Sequence, residues 1–385
     1  MGDQIKLAII GAGPYGLAMA AYANHCQLSY KIIGKPMGFW RSNMPDGMFL
    51  RSDSDWHIDP FKEHTIKKYL QETNFPRDNV SPIPRNLFLD YVDWFQLQTQ
   101  VQVESRVVSR ITRVSGGFET LFNDGERLLS ECVLVAIGFA YFKNVPEHFR
   151  HLVESGRASH ACDSVALEFL KDKRCLIIGG RQSAFEWAAL ALEQGATAIH
   201  VSHRHPTPQF AESDWSWVGA LVDKTVVDPG WFRRLTSEEK ESIFKHFWGE
   251  GRLKLEPWLG PRIASNRITI WQNSRVTSGS ELPTGEIKIV LDDATELTVD
   301  HVLLATGYKV AIDRIPFLRE GNVLKELATR NGYPELDEHF QSNIPGLFFT
   351  SLAATQDFGP FFGFVIGAPA SANIIGSFLA GRERP

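Results

Sequence analysis

Two stretches of this sequence run from an apolar strand through a glycine-rich turn into a helical pattern, and their turns begin 168 residues apart, at Gly11 and Gly179. In the first, Lys6–Ile10 leads into Gly11-Ala12-Gly13-Pro14-Tyr15-Gly16, and a helical stretch follows from Leu17 to about Cys26. Tyr30–Ile33 reads as the next strand and completes a βαβ opening. Each glycine has its own task in such a turn. Gly11 permits the tight bend, Gly13 lets a pyrophosphate approach the backbone, and Gly16 lets helix and strand pack closely. The helix N-terminus then stabilises the phosphates. GxGxxG in this setting predicts a dinucleotide site at Gly11, Gly13, Pro14, Tyr15 and Gly16. The second strand of such a unit usually ends in Asp or Glu, which bonds the ribose. Gly34 and Lys35 stand there instead, so ribose recognition falls to Lys35 or to backbone.

The second unit starts at Cys175–Ile178 and continues through Gly179-Gly180-Arg181-Gln182-Ser183-Ala184. A helix is predicted over Ala184–Gln194, capped by Gly195, with a strand at Ala198–Val201. Gly179 and Ala184 fill the outer positions of the motif, and Arg181 replaces the middle glycine. A side chain there either crowds a pyrophosphate or contacts a phosphate as a cation. Ser202-His203-Arg204-His205 follows the next strand, and a basic Arg204 at that point suits the 2′-phosphate of NADP. His200, His203 and His205 lack a nearby carboxylate, so no metal site is expected.

At 385 residues the chain is long enough for two domains. Forty basic against forty-five acidic residues give a net charge of −5, which argues against a nucleic-acid surface. The four cysteines, at 26, 132, 162 and 175, make no CxxC pair. That excludes a thioredoxin-reductase-type redox pair and fits a reduced, cytoplasmic compartment. The N-terminus runs straight into a strand, with no signal peptide expected. Phe358–Gly381 carries no charge, yet its glycines, prolines and small polar residues predict a buried C-terminal helix rather than a membrane anchor.

Two dinucleotide motifs joined by strand meanders resemble the flavin-dependent monooxygenases: the flavin-containing monooxygenases, the amine N-hydroxylases and the Baeyer–Villiger enzymes. The resemblance covers nearly the whole chain. Gly11-Ala12-Gly13-Pro14 is similar to the N-hydroxylase turn, and Ala305-Thr306-Gly307-Tyr308 to the ATGY element. Ile83-Pro84-Arg85 with Phe88, Tyr91 and Trp94 is similar to the family's segment beside the flavin. Arg51-Ser52-Asp53 after Trp40 looks like the Baeyer–Villiger Arg-x-Asp. The fingerprint FxGxxxHxxx(Y/F/W) is half present: Gly156 and His160 keep their spacing, while Glu154 and Ser164 replace its aromatic ends.

The resemblance implies an α/β fold of two Rossmann-like domains, with the NADPH domain inserted into the FAD domain. The expected divisions are residues 1–165 and 300–385 for FAD and 166–299 for NADPH. Residues 206–262, rich in tryptophan, would form a helical insertion that lines a substrate pocket or packs as a cap. Arg51, Asp53 and His160 would be the catalytic residues, His160 by positioning the nicotinamide domain. Lys35, Trp40, Thr306, Gly307 and Asp357 would join the two turns in holding the cofactors. Asp357 would either cap a helix beginning at Pro360 or bond the ribityl chain. The implied reaction is NADPH-dependent insertion of one oxygen atom from O2 into a small molecule through a C4a-peroxyflavin, with N- or S-oxidation preferred. A homodimer is compatible with this reading. The alternatives are an NADPH-dependent reductase of the ferredoxin or quinone kind, and a flavin-binding regulatory protein of low turnover.

Overall fold

The computed structural model describes residues 4–52, 55–76, 80, 82–163 and 165–381. Ile5–Ile10 is a central strand, and its last four residues are wholly buried. It pairs in parallel with Tyr30–Ile33 on one side and with Arg127–Val135 on the other. Burial on both faces accounts for the unbroken apolar run Leu7–Ile10. Arg127–Val135 divides its far edge between two partners. Its first half pairs antiparallel with Gly117–Phe122, and its end pairs in parallel with Leu347–Phe349. The C-terminal part of the chain therefore completes the first sheet.

A second sheet consists of five parallel strands, in the order Ile268–Trp271, Ala198–Ser202, Arg174–Ile178, His301–Leu304 and Ala158–His160. Its outer two on one side, Ala158–His160 and His301–Leu304, come from beyond the stretch 166–299. Helices Pro14–His25 and Gln182–Glu193 begin directly after the central strands of the two sheets. This is the doubly wound arrangement, in which ligands bind at the carboxyl ends of the strands.

The segment 206–262 is largely helical, with helices Ser216–Val227, Trp231–Arg234, Ser237–Arg252 and Leu259–Ile263. Thr236 and Glu239 form a capping box at the start of the longest. Val218, Val222, Trp231, Phe232 and Phe247 are buried in the core of the first unit. Most of the segment thus acts as a cap, and Trp248, Gly251 and Arg252 reach a cavity.

The C-terminal run departs from the helix expected to begin at Pro360. The last strand is Leu347–Phe349; Ser351, with a left-handed φ of 61°, ends the extended path, and Ser351–Ala354 is a 3-10 turn. Pro360 opens only a short 3-10 turn to Gly363. The helix itself runs Gly367–Ala380, since Phe364 is extended (φ −123°, ψ 167°) and interrupts the path from Phe361. It is buried against Pro14–His25. A Cβ at Gly376 would stand 2.1 Å from the Tyr22 ring, and the Tyr22 hydroxyl lies 3.0 Å from Ser377 Oγ. Among the described residues no helix is long and apolar enough to cross a membrane.

Candidate functional site

Both glycine-rich turns open onto one cleft of about 1290 Å³ between the two sheets. Among the described residues, seven cationic side chains line it, Lys35, Arg51, Arg106, Arg181, Arg204, Arg252 and Arg275, against a single carboxylate, Glu186. In a chain of net charge −5 this is a marked local excess of positive charge. Such a cleft attracts phosphates.

The first turn has the geometry that a pyrophosphate requires. Gly11 has φ +114°, and a Cβ there would lie 2.4 Å from the Ala136 carbonyl oxygen. A Cβ on Gly16 would lie 1.8 Å from the Gly11 carbonyl oxygen. Gly13 is different, because its Cβ direction meets nothing within 4 Å. Gly13 caps helix Pro14–His25 without a side-chain hydrogen bond, so the first N–H groups remain open to a ligand. Pro14 sits at the first turn, where its missing N–H costs nothing. Tyr15 is buried, and its hydroxyl reaches the carbonyls of Phe362 and Phe364, tying the turn to the C-terminal segment. Lys35 is exposed at the cleft edge, and Trp40 lines the cleft while packing on Phe88 at 4.9 Å. Phe88 and Tyr91 are themselves core residues.

In the second turn, Gly179 has φ +149°, and a Cβ there would lie 2.5 Å from the Ala305 carbonyl oxygen. Gly180 abuts His203, with a hypothetical Cβ 2.5 Å from that ring. Arg181 caps helix Gln182–Glu193, and its Nη1 donates to the Arg252 carbonyl oxygen at 3.1 Å. Gln182 accepts from the Glu256 N–H at 3.1 Å, while its Nε2 is buried without a partner among the described residues. Ser183 lines the cleft, and Ala184 is buried at the packing position. Arg204 is exposed at the cleft and makes no ion pair or hydrogen bond among the described residues.

His160 is buried at the end of its strand. Its Nε2 donates to the Gly307 carbonyl at 3.0 Å, and Nδ1 faces the Cys162 thiol at 3.0 Å. Burial lowers its pKa, which keeps the ring neutral. Both nitrogens are engaged within the protein, so His160 ties Ala158–His160 to the Thr306-Gly307 turn. Thr306 and Asn144 hold that turn reciprocally. Phe139, Tyr308 and Phe39 form an aromatic wall beside it, with ring centroids 4.7 to 6.3 Å apart.

Two expectations need correction, and one lies outside the described residues. Arg51 lines the cleft, but its guanidinium is turned into the inserted segment. There it bonds Glu256 at 2.7 Å, Ser213 at 2.7 Å and the Gly251 carbonyl. It is a strut between the first unit and the insertion, with its donors already used. Asp357 neither caps a helix at Pro360 nor lines the cleft. It is buried elsewhere, accepting from Arg330 at 3.0 Å and from the Leu336 N–H at 3.0 Å, because the unpaired backbone there takes its carboxylate. Asp53 lies outside the described residues.

Sequence reasoning missed Glu186. It stands four residues after Gln182, hence on the same helix face. Glu186 is fully buried. One oxygen accepts from the Phe49 N–H at 3.0 Å, and the other has no partner among the described residues. Burial pushes its pKa from 4.5 up to about 7. The native protein therefore keeps this proton between about pH 4.5 and 7, where the unfolded chain has lost it. The resulting stability is full below pH 4.5 and is lost as pH rises through 7. Glu186→Gln removes the charge and retains the acceptor. It should stabilise the FAD-loaded protein at pH 8 by up to about 2–3 kcal/mol, and little at pH 5. Denaturant melts at both pH values check this, and an equal shift at both would contradict it.

The pyridine nucleotide-disulphide oxidoreductase family matches over residues 8–227, more than half of the chain. The chain belongs to that family. The match spans both glycine-rich turns. Among the described residues no cysteine takes part in a disulphide. A probable indole-3-pyruvate monooxygenase, YUCCA9 of Arabidopsis thaliana, is 25% identical over 354 residues, covering 85% of this chain and 79% of that protein. Ornithine hydroxylase PvdA from Pseudomonas aeruginosa, in its reduced form, superposes with a TM-score of 0.79 at 19% identity, over 98% of this chain and 99% of that one. The ornithine N-hydroxylase of Kutzneria sp. 744, solved with reduced FAD, NADP+ and L-ornithine, gives 0.80 at 13% identity, over 98% and 99%.

Proposed function

We propose that this chain is an NADPH-dependent, FAD-containing monooxygenase that places one atom of O2 on the nitrogen or sulfur of a small molecule. The observation that carries the reading is the single cleft onto which both dinucleotide turns open. The cofactors, when bound, supply hydride transfer and oxygen activation. The protein's own part is to bind, to orient and to exclude water. Gly13 and the N-terminus of Pro14–His25 would hold the FAD pyrophosphate. The Arg181–Ala184 turn and Arg204 would hold NADPH. The aromatic wall of Phe39, Phe139 and Tyr308 would shield the reacting centre from water. NADPH, a proton, O2 and substrate would give NADP+, water and oxygenated substrate.

The relatives support the same class, since a hydroxylase, an N-hydroxylase and a probable monooxygenase share its architecture or sequence. A dithiol relay of the disulphide-reductase kind is disfavoured by the cysteines. Cys162, the one that lines the cleft, has its thiol pushed up to about 11 by burial, which suppresses the reactive thiolate. The test is turnover under 18O2 with a panel of amines and sulfides. One labelled atom per product molecule is expected. NADPH consumption with no label in any product would favour the reductase reading.

A further inference from the structure

Arg181 and Arg252 lie together on the cleft, and neither has a carboxylate partner among the described residues. Arg181 stands in the middle-glycine position of the second turn, where a phosphate would otherwise meet bare backbone. Arg252 ends the inserted helix Ser237–Arg252, far along the chain from that turn. The contact is direct, Arg181 Nη1 donating to the Arg252 carbonyl oxygen at 3.1 Å. The Arg252 guanidinium stacks on Trp248, 4.1 Å from the ring centroid, which fixes its plane and leaves its edge donors available. Burial disfavours the charge on both groups, and the charge of Arg181 disfavours that of Arg252 further. Two like charges on one cleft repel each other, and an anion placed between or beside them offsets that repulsion. Arg51, which also lines the cleft, meets Glu256 instead, and Arg174 meets Asp300.

We propose that Arg252 and Arg181 form a two-guanidinium clamp for the pyrophosphate of the nicotinamide dinucleotide. The inference rests on the reading of the second turn as the NADPH site and assigns part of that site to the inserted helices. A pyrophosphate presents two adjacent anionic groups, and each guanidinium offers a planar fork of donors matched to one. The replacement of the middle glycine is then no defect. The side chain at 181 takes over a contact that backbone makes in the regular motif, and the insertion supplies the second half. Arg204, at the end of the neighbouring strand, remains for the 2′-phosphate. The two roles separate cleanly. The clamp serves NADPH and NADH alike, and Arg204 serves NADPH alone.

Calorimetric titration of the FAD-loaded protein with NADP+ and with NAD+, at fixed ionic strength, tests this without turnover. Arg252→Ala should weaken both ligands about tenfold or more and by similar factors, leaving FAD content unchanged. Arg252→Lys, which keeps the charge and loses the fork, should recover part of the loss and guards against misfolding of the alanine variant. Arg181→Ala should weaken both ligands in the same pattern, and the double variant should lose more than either single variant but less than the sum of the two, as expected of contacting groups on one ligand. Unchanged affinity for both ligands in Arg252→Ala overturns the clamp while leaving the NADPH reading intact. A loss confined to NADP+ overturns it too, by moving Arg252 to the 2′-phosphate. Wild-type protein that binds neither dinucleotide overturns the clamp together with the reading on which it rests.

Discussion

Gly13→Val should yield a folded, colourless protein. Gly13 has φ −87° and ψ −170°, a conformation that valine adopts without strain. Its Cβ would meet no protein atom within 4 Å. The substitution therefore fills only the space where the FAD pyrophosphate must lie. Gly16→Val is the contrast, since its Cβ would fall 1.8 Å from the Gly11 carbonyl oxygen and should abolish soluble expression. Absorbance of the purified proteins and circular dichroism decide the matter. A yellow Gly13→Val protein with full flavin occupancy would show that the first turn is not the FAD site.

Arg204→Ala should raise the KM for NADPH about tenfold and leave that for NADH nearly unchanged. Arg204 is exposed, lines the cleft and has no partner among the described residues, so its removal disturbs nothing else. An arginine–phosphate contact is charge-assisted and commonly contributes about 1.5–3 kcal/mol, with exposure favouring the lower end. About 1.4 kcal/mol is tenfold in affinity. Equal effects on both nucleotides in steady-state kinetics would remove Arg204 from the 2′-phosphate.

The parts of the site set by backbone geometry were legible in the sequence. Glycines at 11, 16 and 179 report the close approaches they permit, and those approaches are present, while Gly13 leaves open space at the turn. Arg204 was legible because its position relative to a strand end is a matter of local order. What depends on long-range packing was not. Arg51 belongs to a motif that suggests chemistry, yet its guanidinium is taken by Glu256, Ser213 and backbone carbonyls of the insertion, more than 160 residues away. Asp357 is claimed by Arg330 and the Leu336 N–H. Arg252 gave no signal, because only the fold brings the end of the insertion to the second turn. The helix expected from Pro360 begins only at Gly367, about two turns later, since the extended Phe364 cannot be foreseen from composition.

The central claim is that this cleft directs reduced flavin toward oxygen transfer. Rapid mixing tests it most directly: the FAD-loaded protein is reduced anaerobically with NADPH and then mixed with oxygenated buffer. The account predicts that reduced flavin disappears well before oxidised flavin returns, with hydrogen peroxide released only in the slower phase. Simultaneous loss of reduced flavin and return of oxidised flavin, with peroxide released at once, would contradict it.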